Sequence, residues 1–218
     1  MTDPLLDAAP GALEVWGVCG GSGSGKSTLV ALLCAALPPG AVAVLPFDAY
    51  YRDLGHFPPE RRAATNFDHP DALDVDLLIE HLDRLRAGRP VQVPRYDFAN
   101  HRRLRDTDRQ EPAPLVLVEG ILIFAFPALV QRFDYSVFLD VPEQVRLERR
   151  VARDLVVRGR TEESVRAQWA ATVAPMYEAF VQPAAESADE VVSYGADYAE
   201  LVARLAALAR RRLRWPPV

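Results

Sequence analysis

Gly20-Gly21-Ser22-Gly23-Ser24-Gly25-Lys26-Ser27 satisfies the pattern G-x-x-x-x-G-K-[ST] at every fixed position. The chemistry this spacing serves is the grip on a polyphosphate. Glycines at 20, 21, 23 and 25 let the backbone wrap closely enough for successive N–H groups to face an anion. Lys26 reaches phosphate oxygens as a point charge, and Ser27 offers a hydroxyl to Mg²⁺. Of the 25 lysine and arginine side chains, Lys26 is the single lysine. A chain that otherwise uses arginine departs from that habit where a compact ammonium on a flexible stem fits better than a planar fork. Gly20, Gly21, Ser22, Gly23, Ser24, Gly25, Lys26, Ser27 and Thr28 therefore form a candidate nucleotide-phosphate cradle, with Thr28 opening the helix that follows.

Two carboxylates stand at or just after the carboxyl ends of strand-like apolar runs, where ligands bind in open α/β sheets. Glu119 follows Leu115-Val116-Leu117-Val118 and suits a group near Mg²⁺ and its waters; a solvated strand-end carboxylate is the plainer alternative. Asp48 suits a base that takes a proton from an acceptor hydroxyl, and equally suits an ordinary turn. Arg150, Arg153, Arg158 and Arg160 gather around one helix end. There they would neutralise a transferring phosphoryl group, or else form a solvated face paired with Glu148 and Asp154.

These residues need a scaffold, and the pattern supplies a doubly wound one in which strands alternate with helices. Residues 13–19 read as a buried strand and 28–37 as a helix stopped by Pro38-Pro39-Gly40. Residues 41–46 read as a second strand, 74–87 as a helix, and 114–120 and 135–140 as central parallel strands with near-continuous apolar runs. Helices are predicted over about 142–157, 162–180 and 198–213. Residues 90–112, rich in Pro, Arg and Asp, break the alternation as an inserted hairpin or loop excursion.

A chain of 218 residues with half of them hydrophobic suits one α/β domain, 1–218, with one well-buried core. No apolar run approaches the length of a membrane span, and Asp3 and Asp7 stand where a secretion signal would be basic, which predicts a cytoplasmic protein. A formal net charge of −5 argues against general nucleic-acid binding, and Arg210-Arg211-Arg212-Arg214 reads as a solvated helix end. Cys19 and Cys34 form neither a metal cluster nor a disulfide framework and read as core filler.

From about residue 15 to 195 the chain resembles the uridine/cytidine kinases and their relatives the phosphoribulokinases. The resemblance rests on the phosphate loop, Asp48-Ala49-Tyr50-Tyr51-Arg52-Asp53-Leu54, Asn66-Phe67-Asp68-His69-Pro70-Asp71-Ala72, Pro94-Arg95-Tyr96-Asp97-Phe98 with His101, Glu119-Gly120-Ile121-Leu122, and Arg153-Asp154 leading to Arg158-Gly159-Arg160. It implies an α/β fold of the P-loop NTPase type, a doubly wound parallel sheet with an inserted β-hairpin excursion (about 90–112) and a helical lid (about 150–168). It implies ATP as donor with Mg²⁺ held by Ser27 and Glu119, and a nucleoside 5′-hydroxyl as acceptor with Asp48 as base. By the same resemblance Tyr51, Phe67 and Asp68 wall the nucleoside, and Tyr96, Phe98 and His101 form a pyrimidine pocket. Lys26, Arg153 and Arg158 serve the ATP phosphates, and Arg150, Arg160 and Gln168 lean toward the nucleoside. Both uridine and cytidine are expected acceptors, and the resemblance implies a homo-oligomer, a tetramer.

Ser193-Tyr194-Gly195-Ala196-Asp197 departs from the family's usual Pro-Arg-Gly turn, in a loop expected near the base of the donor, so the choice between ATP and GTP is open. Two other readings compete: a sugar-phosphate kinase like phosphoribulokinase, and a nucleotide-sensing switch. The aromatic group of Tyr96, Phe98 and His101 suits a base better than a second phosphate, and no water-positioning residue of a switch stands out.

Overall fold

The computed structural model describes residues 13–215; Asp3 and Asp7 lie outside the described residues. Strands β1 (Glu14–Gly20), β2 (Val42–Pro46), β5 (Leu115–Gly120), β6 (Tyr135–Asp140) and β7 (Glu190–Ser193) form a parallel sheet in the order β2-β5-β1-β6-β7. Their side chains alternate between two apolar layers, as the pleat requires. Val15, Cys19, Val116, Val118 and Phe138 face one layer, while Trp16, Val18, Leu115, Leu117, Val137 and Leu139 face the other.

Helices α1 (Lys26–Ala36) and α8 (Tyr198–Arg212) cover the second face through Leu29, Leu33, Leu201 and Leu205. The first face receives α3 (Val75–Arg86), whose Leu78, Leu82 and Leu85 repeat at helical spacing. Asp74 caps α3 by accepting from the Leu77 N–H, and Gly88, with φ of 71°, turns the chain out of it. Shorter helices α2 (Pro59–Ala63) and α4 (Pro127–Val130) fill loops; the sequence pattern gives neither. The excursion is a true antiparallel hairpin, β3 (Val91–Asp97) with β4 (Arg102–Gln110).

Helix α5 (Glu143–Val157) is followed by α6 (Glu162–Gln168), which continues through α7 (Ala174–Met176) to Val181. One helix is expected here, and the structure adds π-turns at Trp169–Val173 and Tyr177–Val181. Ala174 N–H bonds Trp169 O and Gln182 N–H bonds Tyr177 O, five residues back in each case. Pro175 explains the first, because its ring lacks an N–H and collides with the carbonyl four residues earlier.

Within the Arg210–Arg214 cluster, Arg211 and Arg214 are exposed, as a solvated helix end requires, and Arg212 departs from that reading. Arg212 Nε lies 2.8 and 2.7 Å from the two carboxylate oxygens of Glu14, and their side chains are only 8% and 3% exposed. Trp16 Nε1 donates to the same carboxylate at 2.7 Å. The spacing of Arg212 along the chain says nothing of this partner, 198 residues away.

Candidate active site

The order β2-β5-β1-β6-β7 puts β1 where the chain changes direction across the sheet, and the loops leaving β1, β2 and β5 converge at the carboxyl edge. Gly20, Gly23 and Gly25 all carry positive φ, at 145°, 82° and 100°. Gly25 precedes α1 without a side-chain cap, so the first amides of the helix stay available to an anion. Lys26 folds back over the loop, its Nζ donating to Gly20 O at 2.9 Å and Gly21 O at 3.1 Å. Burial pushes the Lys26 ammonium below its ordinary pKa, with Glu119 and Asp48 acting against that and Arg153 adding to it. Ser24 is fully buried, whereas Ser27 and Thr28 are exposed in the first turn of α1.

Ser27 Oγ donates to Glu119 Oε1 at 2.9 Å. Glu119 sits opposite Val18 of β1 and Pro46 of β2, so the sheet register fixes it beside both loops. Burial raises its pKa, and nearby Lys26 and the Ser27 hydrogen bond oppose the rise. A hydroxyl and a carboxylate are hard oxygen donors, and among the described residues no group of three or more His, Cys, Asp or Glu forms a closed metal cage. That donor set fits Mg²⁺, which keeps waters and takes the rest of its ligands from phosphates.

Asp48 lies exposed on a 3₁₀ turn, Phe47–Tyr50, directly after β2. Its charge acts on Lys26, Glu119, Tyr51 and Asp68, which places Asp48 within electrostatic reach of the phosphate loop and of the aromatic group. Asp48 also lines a cleft of about 600 Å³ with Val93, Tyr96, Phe98 and Leu104 of the hairpin.

Five aromatic rings assemble beside that turn. Tyr51 meets Phe67 and Tyr96, each with ring centres 5.3 Å apart, and Phe98 at 6.4 Å. His101 stacks on Phe67 at 4.5 Å with the planes 16° apart. His101 has φ of 51° at the hairpin bend, and burial, then Arg62, holds its pKa below the ordinary value. Phe98 stays 46% exposed beneath the Arg158 guanidinium, 5.7 Å from the ring centre.

Asp68 is buried, which raises its pKa against the opposing charge of Arg150. It accepts from Thr172 Oγ1 at 3.0 Å, and it lines a small crevice with Gly21, Ser22, Ile121 and Tyr177. Arg150, whose charge acts on Asp68 and whose Nη1 donates to Ser22 Oγ, links Asp68 to the phosphate loop. The first π-turn carries Thr172, a residue no sequence motif marks.

Asp154, with no exposed side-chain surface, organises the arginines. Arg153 approaches it at 2.8 Å, Arg160 at 3.5 Å, and Arg150 and Arg158 at 3.7 Å. Arg150 also donates to Ser22 Oγ at 3.2 Å and Gln168 Oε1 at 2.9 Å, and Arg160 donates to the same Gln168 oxygen at 2.5 Å. Arg150, Arg160 and Gln168 therefore form one group against the loop, while Arg153 and Arg158 remain 41% and 38% exposed. The expected solvated, ion-paired face is only partly found: Asp154 pairs with the arginines but is buried, and Glu148 accepts from Gln144 instead.

Arg146 is the functional-site neighbour that sequence reasoning missed. It is buried, its guanidinium carbon lies 3.7 Å from the Tyr177 ring centre and 5.3 Å from that of Trp169, and Nε donates to Val141 O at 2.9 Å. The spacing Arg146, Arg149, Arg150, Arg153 on one helix face was the available signal. The departing loop at 193–197 lies with Ser24, Arg149 and Tyr198 around a cavity of about 170 Å³.

The model of the phosphoribulokinase/uridine kinase family matches residues 15–199. A protein named uridine kinase from Chloroflexus aurantiacus is 48% identical over 179 residues, 82% of this chain and 86% of that one. Another of that name, from Streptococcus equi subsp. zooepidemicus, is 41% identical over 179 residues with the same coverage. The solved structure of a D-glycerate 3-kinase from Cryptococcus neoformans var. grubii shares the fold with a TM-score of 0.63 and 18% identity, covering 84% of this chain and 86% of that one. A phosphate loop at the switch point, a hydroxyl–carboxylate pair beside it and an arginine-bearing helix across it agree with these likenesses, and the chain is a kinase of the phosphoribulokinase/uridine kinase family.

Proposed function

We propose that this kinase transfers the γ-phosphoryl group of ATP to the 5′-hydroxyl of uridine or cytidine. The observation that carries this reading is the aromatic group of Tyr51, Phe67, Tyr96, Phe98 and His101 beside Asp48. Aromatic faces pack on a planar base, and a second sugar phosphate would instead call for basic residues at that position. The names of the two curated relatives support the same acceptor.

In this reading Asp48 accepts the 5′-hydroxyl proton while that oxygen attacks the γ-phosphorus and ADP leaves with the bridging oxygen. Asp68 holds a ribose hydroxyl, and His101, kept neutral by burial, serves either the O4 acceptor of uracil or the N4 donor of cytosine through its tautomer. The phosphates lie in residues 20–28, with Lys26, Arg153 and Arg158 facing their charge. Ser27 and Glu119 would hold Mg²⁺, which supplies charge neutralisation at the phosphate oxygens. Residues 150–168 act as a lid, with Arg150, Arg160 and Gln168 on the nucleoside side. The cavity beside Tyr194 takes the base of the donor.

The family resemblance also supports a tetramer, which light scattering after gel filtration checks. Among the described residues no helix is long and apolar enough to cross a membrane, and that agrees with a cytoplasmic enzyme. The deciding experiment is product identification after incubation with Mg²⁺·ATP and, separately, uridine, cytidine, deoxycytidine and ribulose 5-phosphate. UMP and CMP are the expected products. Phosphorylation of ribulose 5-phosphate alone, or ATP hydrolysis indifferent to every acceptor, overturns the assignment.

A further inference from the structure

Arg103 of β4 reaches out of the hairpin and into the turn that carries Asp48. Its Nε donates to Tyr51 O at 2.8 Å, and its Nη2 donates to Tyr50 O at 3.3 Å and to Asp74 Oδ2 at 3.1 Å. Its backbone N–H bonds Asp53 Oδ1 at 3.2 Å. The side chain is 19% exposed, so these are sheltered, charge-assisted contacts. Tyr50 O receives a second hydrogen bond, from Asp74 N at 2.8 Å, and Asp74 also caps α3. The end of the 3₁₀ turn is thereby fastened at once to the hairpin and to the start of α3.

The same residue sits within the base-facing part of the hairpin. Arg103 pairs directly across the ladder with Tyr96, and His101 precedes it by two positions. A shift of the hairpin that moves Tyr96 or His101 therefore pulls on the carbonyls of Tyr50 and Tyr51, two and three residues after Asp48. We propose that Arg103 is a positioning residue that makes the placement of Asp48 depend on the hairpin, so that a seated base aligns the proton acceptor. The inference rests on the reading of Asp48 as the base and of the hairpin aromatics as the base pocket. No other side chain among the described residues bonds both the Tyr50 and the Tyr51 carbonyl.

The test compares Arg103→Ala, Arg103→Lys and Arg102→Ala in steady-state kinetics with uridine at saturating Mg²⁺·ATP, together with melting temperature and the KM for ATP. Arg102 is the control, because its side chain is 52% exposed and its one ion pair among the described residues is with Asp97, at 3.8 Å. Arg103→Ala is expected to lower kcat with uridine by about tenfold to a hundredfold, the loss that small misplacements of reacting groups produce. The KM for ATP stays within about twofold of wild type. Arg103→Lys keeps the charge but not the fork, so its kcat falls between the two, and it carries the test should the alanine variant not fold. Arg102→Ala keeps wild-type kcat. A kcat within about twofold of wild type in both Arg103 variants overturns the inference, as does a loss matched by a rise in the KM for ATP, which marks a general structural role. A wild-type enzyme that fails to phosphorylate uridine overturns the underlying reading instead, before any variant is made.

Discussion

The backbone carbonyl of Arg146 occupies the space that a β-carbon on Gly23 would need. Gly23 is one of the free positions in G-x-x-x-x-G-K-[ST], so its identity is set by α5 packing from outside as well as by the loop's own φ of +82°. Gly21 has a similar neighbour, since an added β-carbon would lie 2.5 Å from Arg146 Nη1. That guanidinium is wedged against Tyr177 and Trp169, the first residues of the two π-turns. The phosphate loop, the arginine helix and the π-bulged helix thus pack around one side chain.

Gly23→Ala is accordingly expected to displace the loop and to lose turnover by about 10²-fold or more, because a backbone carbonyl cannot swing aside. Gly21→Ala meets only side-chain atoms, of Arg146 and Tyr177, which can yield more than backbone, and should lose less. Steady-state kinetics of the two variants under the same Mg²⁺·ATP concentrations decide the order, and a larger loss in Gly21→Ala contradicts this account of the packing.

Asp48→Asn retains the size of the side chain and removes the proton acceptor. Nucleoside binding measured by calorimetry should survive, while kcat drops by about 10²-fold or more. An unchanged kcat removes Asp48 from the role of base.

His101→Tyr should change the ratio of uridine to cytidine turnover. An unaltered ratio would place the reading of the base elsewhere.

His81 gives a pH test of the fold. Its Nδ1 lies 2.9 Å from Tyr50 Oη in the core, and burial holds its pKa below 6.5 despite the opposing charge of Glu80 and Asp74; Arg84 and Arg103 push the same way as burial. Between that lowered value and 6.5 the unfolded chain binds the proton and the native one does not. Stability from this group is therefore present above 6.5 and is lost as pH falls through the native value. Urea unfolding of His81→Gln across this range should show a pH slope flatter than wild type by up to about 1.4 kcal/mol per pH unit. Equal slopes would mean that His81 does not contribute.

Arg212→Ala leaves the Glu14 carboxylate buried without its guanidinium, a change that costs about 3–5 kcal/mol in comparable buried pairs. Chemical denaturation measures it. A loss below about 1 kcal/mol, the range of exposed pairs, would show that water reaches the pair.

The parts of this molecule legible in its sequence are those whose constraint is local. Gly25-Lys26-Ser27 must stand together to make the start of α1 a phosphate site, and the Leu78, Leu82, Leu85 stripe declares a helix without outside help. The proline- and arginine-rich stretch at 90–112 shows a break in the alternation, and a hairpin is what fills it. The pairings that cross the fold left no such mark. Arg212 with Glu14, Thr172 with Asp68, and Arg103 with the Tyr50 carbonyl each join residues that only the folded topology brings together. The π-turns escaped for a related reason: Val165, Trp169, Val173, Tyr177 and Val181 recur at every fourth position, which reads as an ordinary helical stripe, and only Pro175 hints at the change.

The lone lysine has a practical consequence. Its Nζ lies against the Gly20 and Gly21 carbonyls inside the cradle, with its proton held less firmly than usual. Reagents that acylate amines ordinarily decorate a protein surface at many points, but here the α-amine aside, they have one target per chain. The speed of that modification becomes a direct gauge of whether the cradle is filled, and immobilisation chemistries that couple through surface lysines find in this sequence one lysine alone, and that one buried.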